Sequence, residues 1–236
     1  MTDVPSPLMR QTLLDRELVR PIDRPVIRML PWLDVVAIGG HAIFDKGRDA
    51  LLPLADELRA LLPGRKLLML TGSGIRGRHV MSVGYDLGLP TGVVASLASV
   101  EAEQNGQLLA ALLAADGVSY VSHATVAHQL AGHLATAPAV VSSGYPPYGL
   151  HEFPPEEGAL PVHRSDAGAF LLADAYGARN LVYVKDEEGA DALDPLVREL
   201  LTTAKHTRAV RVVNGLEPGA VTAALTGGNA GTLVEA

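Results

Sequence analysis

Apolar positions along this chain fall into short runs that each end near glycine, serine, aspartate or alanine. The runs are LDVVAIGG, KLLMLTGSG, TGVVA, VSYVS, AVVSSG, NLVYVKD, AVRVVNG and GTLVEA. Their aliphatic and β-branched content over four to eight residues predicts buried strands. Between them, Leu51 to Leu62, Ser96 to Ala114, Ala167 to Tyr176 and Leu193 to Ala204 carry apolar residues every three or four positions, which predicts helices. Strand and helix in alternation predict an α/β fold with a mostly parallel central sheet covered by helices on both faces. In such sheets ligands bind beyond the carboxyl ends of the strands, so the residues that follow each apolar run are the ones to examine.

Residues 1–29 break this pattern. They are polar and proline-punctuated, and read as an N-terminal arm that either contacts a neighbouring subunit or forms a loose tail. No repeat, low-complexity tract or linker interrupts residues 30–236, which therefore read as a single domain. The stretch YPPYGLHEFPPEEGALP is too rigid and too apolar for a linker and reads as an ordered surface loop.

Composition narrows the choice of partner. With 48% hydrophobic and 19% charged residues the chain can fill a core, and its 4% aromatic content leaves that core to Ala, Val and Leu. A net charge of −7 gives no footprint for a nucleic-acid backbone or an anionic membrane. Without cysteine there is neither a disulfide framework nor a thiolate metal site. The N-terminus lacks the apolar core of a signal peptide, and no run of about 18 apolar residues could span a bilayer. The expectation is a soluble cytoplasmic protein.

Glycine turns are the first candidate chemistry. Gly39 and Gly40 close the first strong run, and Gly72, Ser73 and Gly74 close the second. Such turns between strand and helix let backbone N–H groups approach an anion, although glycine at a strand end is also ordinary turn chemistry. Arg76 and Arg78 follow in the second turn, as oxyanion ligands or as surface ion-pair partners. Ser165 and Asp166 stand at a predicted helix start, where capping alone explains both. The functional alternative turns Asp166 toward a nucleotide phosphate through a metal or a lysine.

Five of the eight histidines, His123, His128, His133, His151 and His163, lie between residues 123 and 163. The five-residue steps from His123 to His133 disfavour one tetrahedral ion held on one helix face. Hydrogen bonds to a large oxoanion, single ligation of a high-valent metal, or plain surface positions all remain open. No Walker A sequence, serine elbow or His-Glu-x-x-His pattern occurs, so P-loop, hydrolase and metalloprotease chemistry lose support.

The ordered set VVAIGG, LTGSGIRGRH, EAEQNGQLLAALLA, SSGYPPYGLHEF, HRSDAGAFLLADAYGA, VYVKDEEG, VVNGLEPGAVTAAL and GTLVEA resembles the amino-acid kinase superfamily. Within it, the set is similar to the subunits of bacterial molybdenum-storage proteins over nearly the whole chain, the arm included; UMP kinases share only the general layout of glycine turns. The resemblance implies a three-layer αβα sandwich assembled as a hexameric trimer of dimers, of one chain type or two. It also implies a cage that holds molybdate or tungstate as polyoxometalate clusters, with ATP and magnesium bound alongside. By position, Gly39, Gly40, Gly72, Ser73, Gly74 and Arg76 match the phosphate loops and Asp166 matches an acidic residue near the nucleotide. Lys185, Asp186 and Gly189 match a loop leading to the base. His123 and His133 match residues near the cluster pocket of the alpha-type subunit, and His151 lies close to where another is expected.

Departures bear on activity. The family lysine near the first glycine turn is Ala37, and the chain after Gly189 passes straight to ADALDPLVRELL instead of a longer base-binding loop. Ser122 replaces an alpha-type glutamate, and Gly149 an alpha-type histidine. SSGYPPYGL and VYVKDEEG lean toward the beta type, EAEQNGQ and HEF toward the alpha type. The expectation is a storage subunit with nucleotide binding weakened or lost and no catalytic residues. A UMP kinase-like enzyme or a non-catalytic scaffold subunit are the alternatives.

Overall fold

The structure, a computed structural model, describes residues 26–146 and 164–235. Strand β1 (Leu33–Ile38) leads through a short 3-10 turn at Phe44–Lys46 into α1 (Arg48–Leu61), followed by β2 (Lys66–Thr71), α2 (Gly74–Asp86) and α3 (Thr91–Leu112). Then come β3 (Ser119–Tyr120), α4 (Val126–Thr136), β4 (Ala139–Ser143), α5 (Ser165–Tyr176) and β5 (Asn180–Lys185). The chain ends with α6 (Pro195–Thr203), β6 (Ala209–Asn214), α7 (Ala220–Leu225) and β7 (Thr232–Glu235).

The strands form a seven-stranded sheet in the order β3-β4-β2-β1-β5-β6-β7. All neighbours are parallel except β6 and β7. Central strands buried on both faces need continuous apolar runs, as LDVVAI and KLLMLT show. Val35 and Ala37 of β1, with Leu68, Leu70, Leu181 and Tyr183, face a core layer that includes Leu130 of α4, Phe170 of α5 and Val197 of α6. Val36 and Ile38, with Leu67, Met69 and Val184, face the opposite layer with Leu58 of α1, Leu109 of α3 and Val221 of α7. The αβα sandwich follows from that alternation.

One predicted strand is a helix. TGVVA opens α3, where Pro90 stands at the N-cap position. Val94, Ala98, Ala102, Asn105 and Leu109 are buried along one side of α3, a stripe at helical spacing that overrides the local β preference of two adjacent valines. The VSYVS run contributes only Ser119–Tyr120 to the sheet, as an edge strand.

Most of the arm and the YPPYGLHEFPPEEGALP loop, with His151 and His163, lie outside the described residues. Where the arm meets the domain, the chain lies across the end of α5: the Leu30 N–H donates to the Tyr176 carbonyl at 2.8 Å and Arg28 reaches the His206 carbonyl. At the amino ends of the strands, the fully buried Asp34 carboxylate accepts from Arg65 and Arg179, both at 2.6 Å, and from Asn180 at 2.8 Å. These bonds tie the starts of β1, β2 and β5 together and leave their carboxyl ends for binding.

Candidate functional site

The two glycine turns are interlocked. The Gly39 N–H donates to Val184 of β5, and the Gly72 N–H donates to Ile38 of β1. A Cβ on Gly40 would stand 2.7 Å from the Gly72 carbonyl and closer still to the Gly74 nitrogen, so only glycine permits this approach of the β1 and β2 turns. Gly74 also has a positive φ of 69°. Asn105, buried on α3, holds the arrangement from behind by donating to the Gly72 carbonyl at 2.7 Å.

In front of these turns lies a cleft of about 630 Å³, lined on one side by Gly39, Gly40, His41, Lys185 and Asp186 and on the other by Ser73, Arg78, Tyr145, Arg164 and Ser165. Lys185 ends β5 next to Gly39 and donates to both Asp166 carboxylate oxygens, at 2.8 and 2.7 Å. Asp166, in the first turn of α5, also accepts the Asp194 N–H at 3.1 Å, so it serves as an ion-pair partner rather than as the predicted helix cap. Arg164 pairs with Asp194 at 2.8 Å, and Lys46 with Asp186 at 3.0 Å. Partial burial alone would raise the Asp186 carboxyl, but the bonded Lys46 ammonium, the backbone N–H of Asp186 itself and the nearby His41 together outweigh this and hold it below its ordinary value.

The lining thus contains Arg78, Arg164 and Lys185 against Asp166, Asp186, Glu187, Asp191 and Asp194. Its cations are mostly satisfied from within, although Arg78 has no hydrogen-bonded partner among the described residues. Even the amino end of α2 is taken, because Asp45 accepts the Ile75 N–H at 2.7 Å. Burial pushes the Tyr145 phenol up, so it stays protonated and shares a 3.1 Å hydrogen bond with Ser73. The arrangement offers backbone N–H groups and cations to an anion, and every cation with an internal partner must exchange a carboxylate for the ligand.

Gly39, Gly40, Gly72, Ser73, Gly74, Asp166, Lys185 and Asp186 therefore share one cleft. Arg76 is turned away: it bonds Asn105 at 2.5 Å and Gln104 at 3.3 Å and pairs with Glu101 of α3 at 3.4 Å. Two residues further round the helix, Arg78 faces the cleft. Gly189, with a φ of 136°, opens a 3-10 turn at Ala190–Ala192 and is not among the lining residues.

The described histidines gather into no metal-binding group. His123 contacts the Pro146 carbonyl through Nε2 at 2.7 Å, and its backbone N–H donates to the Glu103 carboxylate at 3.1 Å. His133 sits in the last turn of α4, which leads into the start of β4 at the amino ends of the strands, and contacts Gln129 at 3.4 Å. Among the described residues no three His, Asp or Glu side chains form a group that could hold a metal ion. Sequence reasoning missed Arg164, Tyr145, Asp194, Asn105 and Glu103. Only Asp194, directly before a proline at a helix start, carried a local signal, and that signal was for a cap.

The sequence profile of the amino acid kinase family matches residues 33–224. The chain is 39% identical over 259 aligned positions, covering 97% of it and 96% of the relative, to the molybdenum storage protein subunit beta of Azotobacter vinelandii. In structure it is similar to uridylate kinase from Archaeoglobus fulgidus, with a TM-score of 0.62 and 15% identity over 85% of this chain and 98% of that one. It is similar also to isopentenyl phosphate kinase, with a TM-score of 0.62 and 17% identity over 86% and 100%.

Proposed function

The chain belongs to the amino acid kinase family, and from that premise we propose that it is a subunit of an oxoanion store. Its cargo is molybdate or tungstate, condensed into polyoxometalate clusters inside a hexameric cage, and its own ATP binding is weakened. The observation that carries this reading is the 39% identity across 97% of the chain with a relative named as a molybdenum storage subunit. The kinases of similar fold share only 15 and 17% and support the fold alone.

The cleft supports the second half of the reading. The glycine turns suit a phosphate and Lys185 stands beside them, but β1 carries the buried Ala37 two residues before Gly39 and brings no second cation to help neutralise a polyphosphate. ATP with magnesium would have to be met by Lys185, Arg78 and Arg164 against five carboxylates. Transfer of a phosphoryl group depends on positioned positive charge, so this balance favours storage over kinase activity. The 259 aligned positions also exceed the 236 residues of the chain, which fits a shortened loop.

For assembly, α3 carries exposed Leu97, Val100, Leu108 and Leu112, with Val83 of α2 and Leu87 just after it also exposed. An apolar stripe of this kind supports packing against a sister subunit, with residues 1–29 as an additional arm contact on a single domain. No described helix is long and apolar enough to cross a membrane.

The test is incubation of purified protein with molybdate, with and without Mg-ATP, followed by desalting and elemental mass spectrometry. Retention of several metal atoms per chain is expected, with little dependence on ATP. Retention only with ATP would restore energy coupling. No retention, combined with phosphoryl transfer to UMP, would establish the kinase alternative, and a monomeric mass by light scattering would remove the cage.

A further inference from the structure

Arg164 is the side chain in the cleft whose position and partner explain each other. Its Nε donates to Asp194 at 2.8 Å, with Arg164 36% exposed and Asp194 7% exposed. The guanidinium has five N–H donors, and its two terminal nitrogens have no hydrogen-bonded partner among the described residues. Asp194 is fixed from its own backbone: its carboxylate accepts the Leu196 N–H at 3.2 Å as the cap of α6, and its N–H bonds Asp166. The stretch that follows Gly189 reaches Asp194 after a single 3-10 turn and so delivers this carboxylate into the cleft.

We propose that Arg164 is an oxoanion-binding side chain and that Asp194 is a tethered carboxylate that occupies it until the oxoanion arrives. The inference rests on the reading of the cleft as an anion site. A carboxylate and a tetrahedral oxoanion present the same chemistry to a guanidinium, a pair of oxygens accepting two parallel N–H bonds. Displacement leaves Asp194 with its helix cap but without its counter-charge in a largely buried place, and that cost is subtracted from oxoanion affinity. Arg78, facing the same space from α2, supplies a second cation with no internal competitor among the described residues. Ligand affinity is thereby set by a competition built into the shortened connection between β5 and α6.

Asp194→Asn isolates the charge, because asparagine caps a helix as well as aspartate does. Asp194→Ser is its companion should the amide rebind Arg164. Titration of orthophosphate by calorimetry at fixed ionic strength is expected to show affinity about tenfold tighter in Asp194→Asn than in the parent, the scale of one charge-assisted hydrogen bond. The double variant Asp194→Asn, Arg164→Gln is expected to lose that gain. Asp56→Asn removes an equal charge from an exposed residue of α1 that lies outside the cleft and pairs with Arg59, and is expected to change affinity less than twofold. Unchanged or weaker binding in both Asp194 variants would overturn the proposal. So would a gain that survives loss of Arg164, or an equal gain in Asp56→Asn. Molybdenum retention by the parent protein reads the storage function independently, so the two ideas fail separately.

Discussion

A single methyl group added at Gly40 reads out the contact on which the cleft is built. In Gly40→Ala the new Cβ would stand 2.7 Å from both the carbon and the oxygen of the Gly72 carbonyl and inside contact distance of the Gly74 nitrogen. All three obstacles are backbone atoms, so no rotamer change relieves the overlap and the β2–α2 turn must move. That movement strains the 3.0 Å bond from Gly72 to Ile38 and the 2.7 Å bond from Asn105. Overpacking of this kind costs about 1–3 kcal/mol, and the rigid backbone puts it near the upper end. For a domain of this size each kcal/mol shifts the unfolding temperature by roughly 2–4 °C, so a fall of about 6–12 °C is expected by calorimetry or circular dichroism. Gly132→Ala is the comparator: it lies on α4 with nothing within 4 Å of its added Cβ, and relief of backbone entropy predicts about 0.5–1 kcal/mol of stabilisation. If Gly40→Ala unfolds within about 2 °C of the parent, the close packing of the two turns is not what holds the cleft.

Ala37→Lys adds a cation on the face of β1 that also carries Tyr183 of the neighbouring strand, about 7 Å along the sheet from the level of Gly39. Tighter Mg-ATP binding is expected in a titration, and unchanged affinity would show that nucleotide binding does not depend on a charge at this position. Asp174 predicts an acid limb of stability. Burial alone would raise its carboxyl, but the backbone N–H groups of Thr207, His206 and Lys205 outweigh burial and lower it. A folded-state value below the unfolded one contributes stability above about pH 4, which is lost as pH falls through the folded value. Asp174→Asn is therefore expected to flatten the decline in unfolding temperature between about pH 5 and pH 3; an identical slope in both proteins would remove Asp174 from that limb.

The sheet was legible in the sequence because its central strands are buried on both faces and so must be written as unbroken apolar runs. LDVVAI, KLLMLT and NLVYVK each stand where they were expected. TGVVA failed because two adjacent valines carry no information about period, whereas the stripe from Val94 to Leu109 does, and only over a longer window. Both glycine turns were also legible, since a turn between a strand and a helix leaves a local composition.

Which side chains share the cleft was a different matter. Arg76 and Arg78 are equivalent as text, and the twist of one helix sends the first to Asn105 and the second to the cleft. His123 and His133 look like a pair, and the length of α4 separates them. Lys185 and Asp166 could be named singly, but their 2.7 Å ion pair and its link to Asp194 join the end of β5, the start of α5 and the start of α6. By itself the sequence determined the αβα layering and the glycine turns, because burial and backbone approach act through local residue type. Only the tertiary structure decided that the cations of the cleft are largely answered by its own carboxylates, because charge pairing depends on distances that no local pattern encodes.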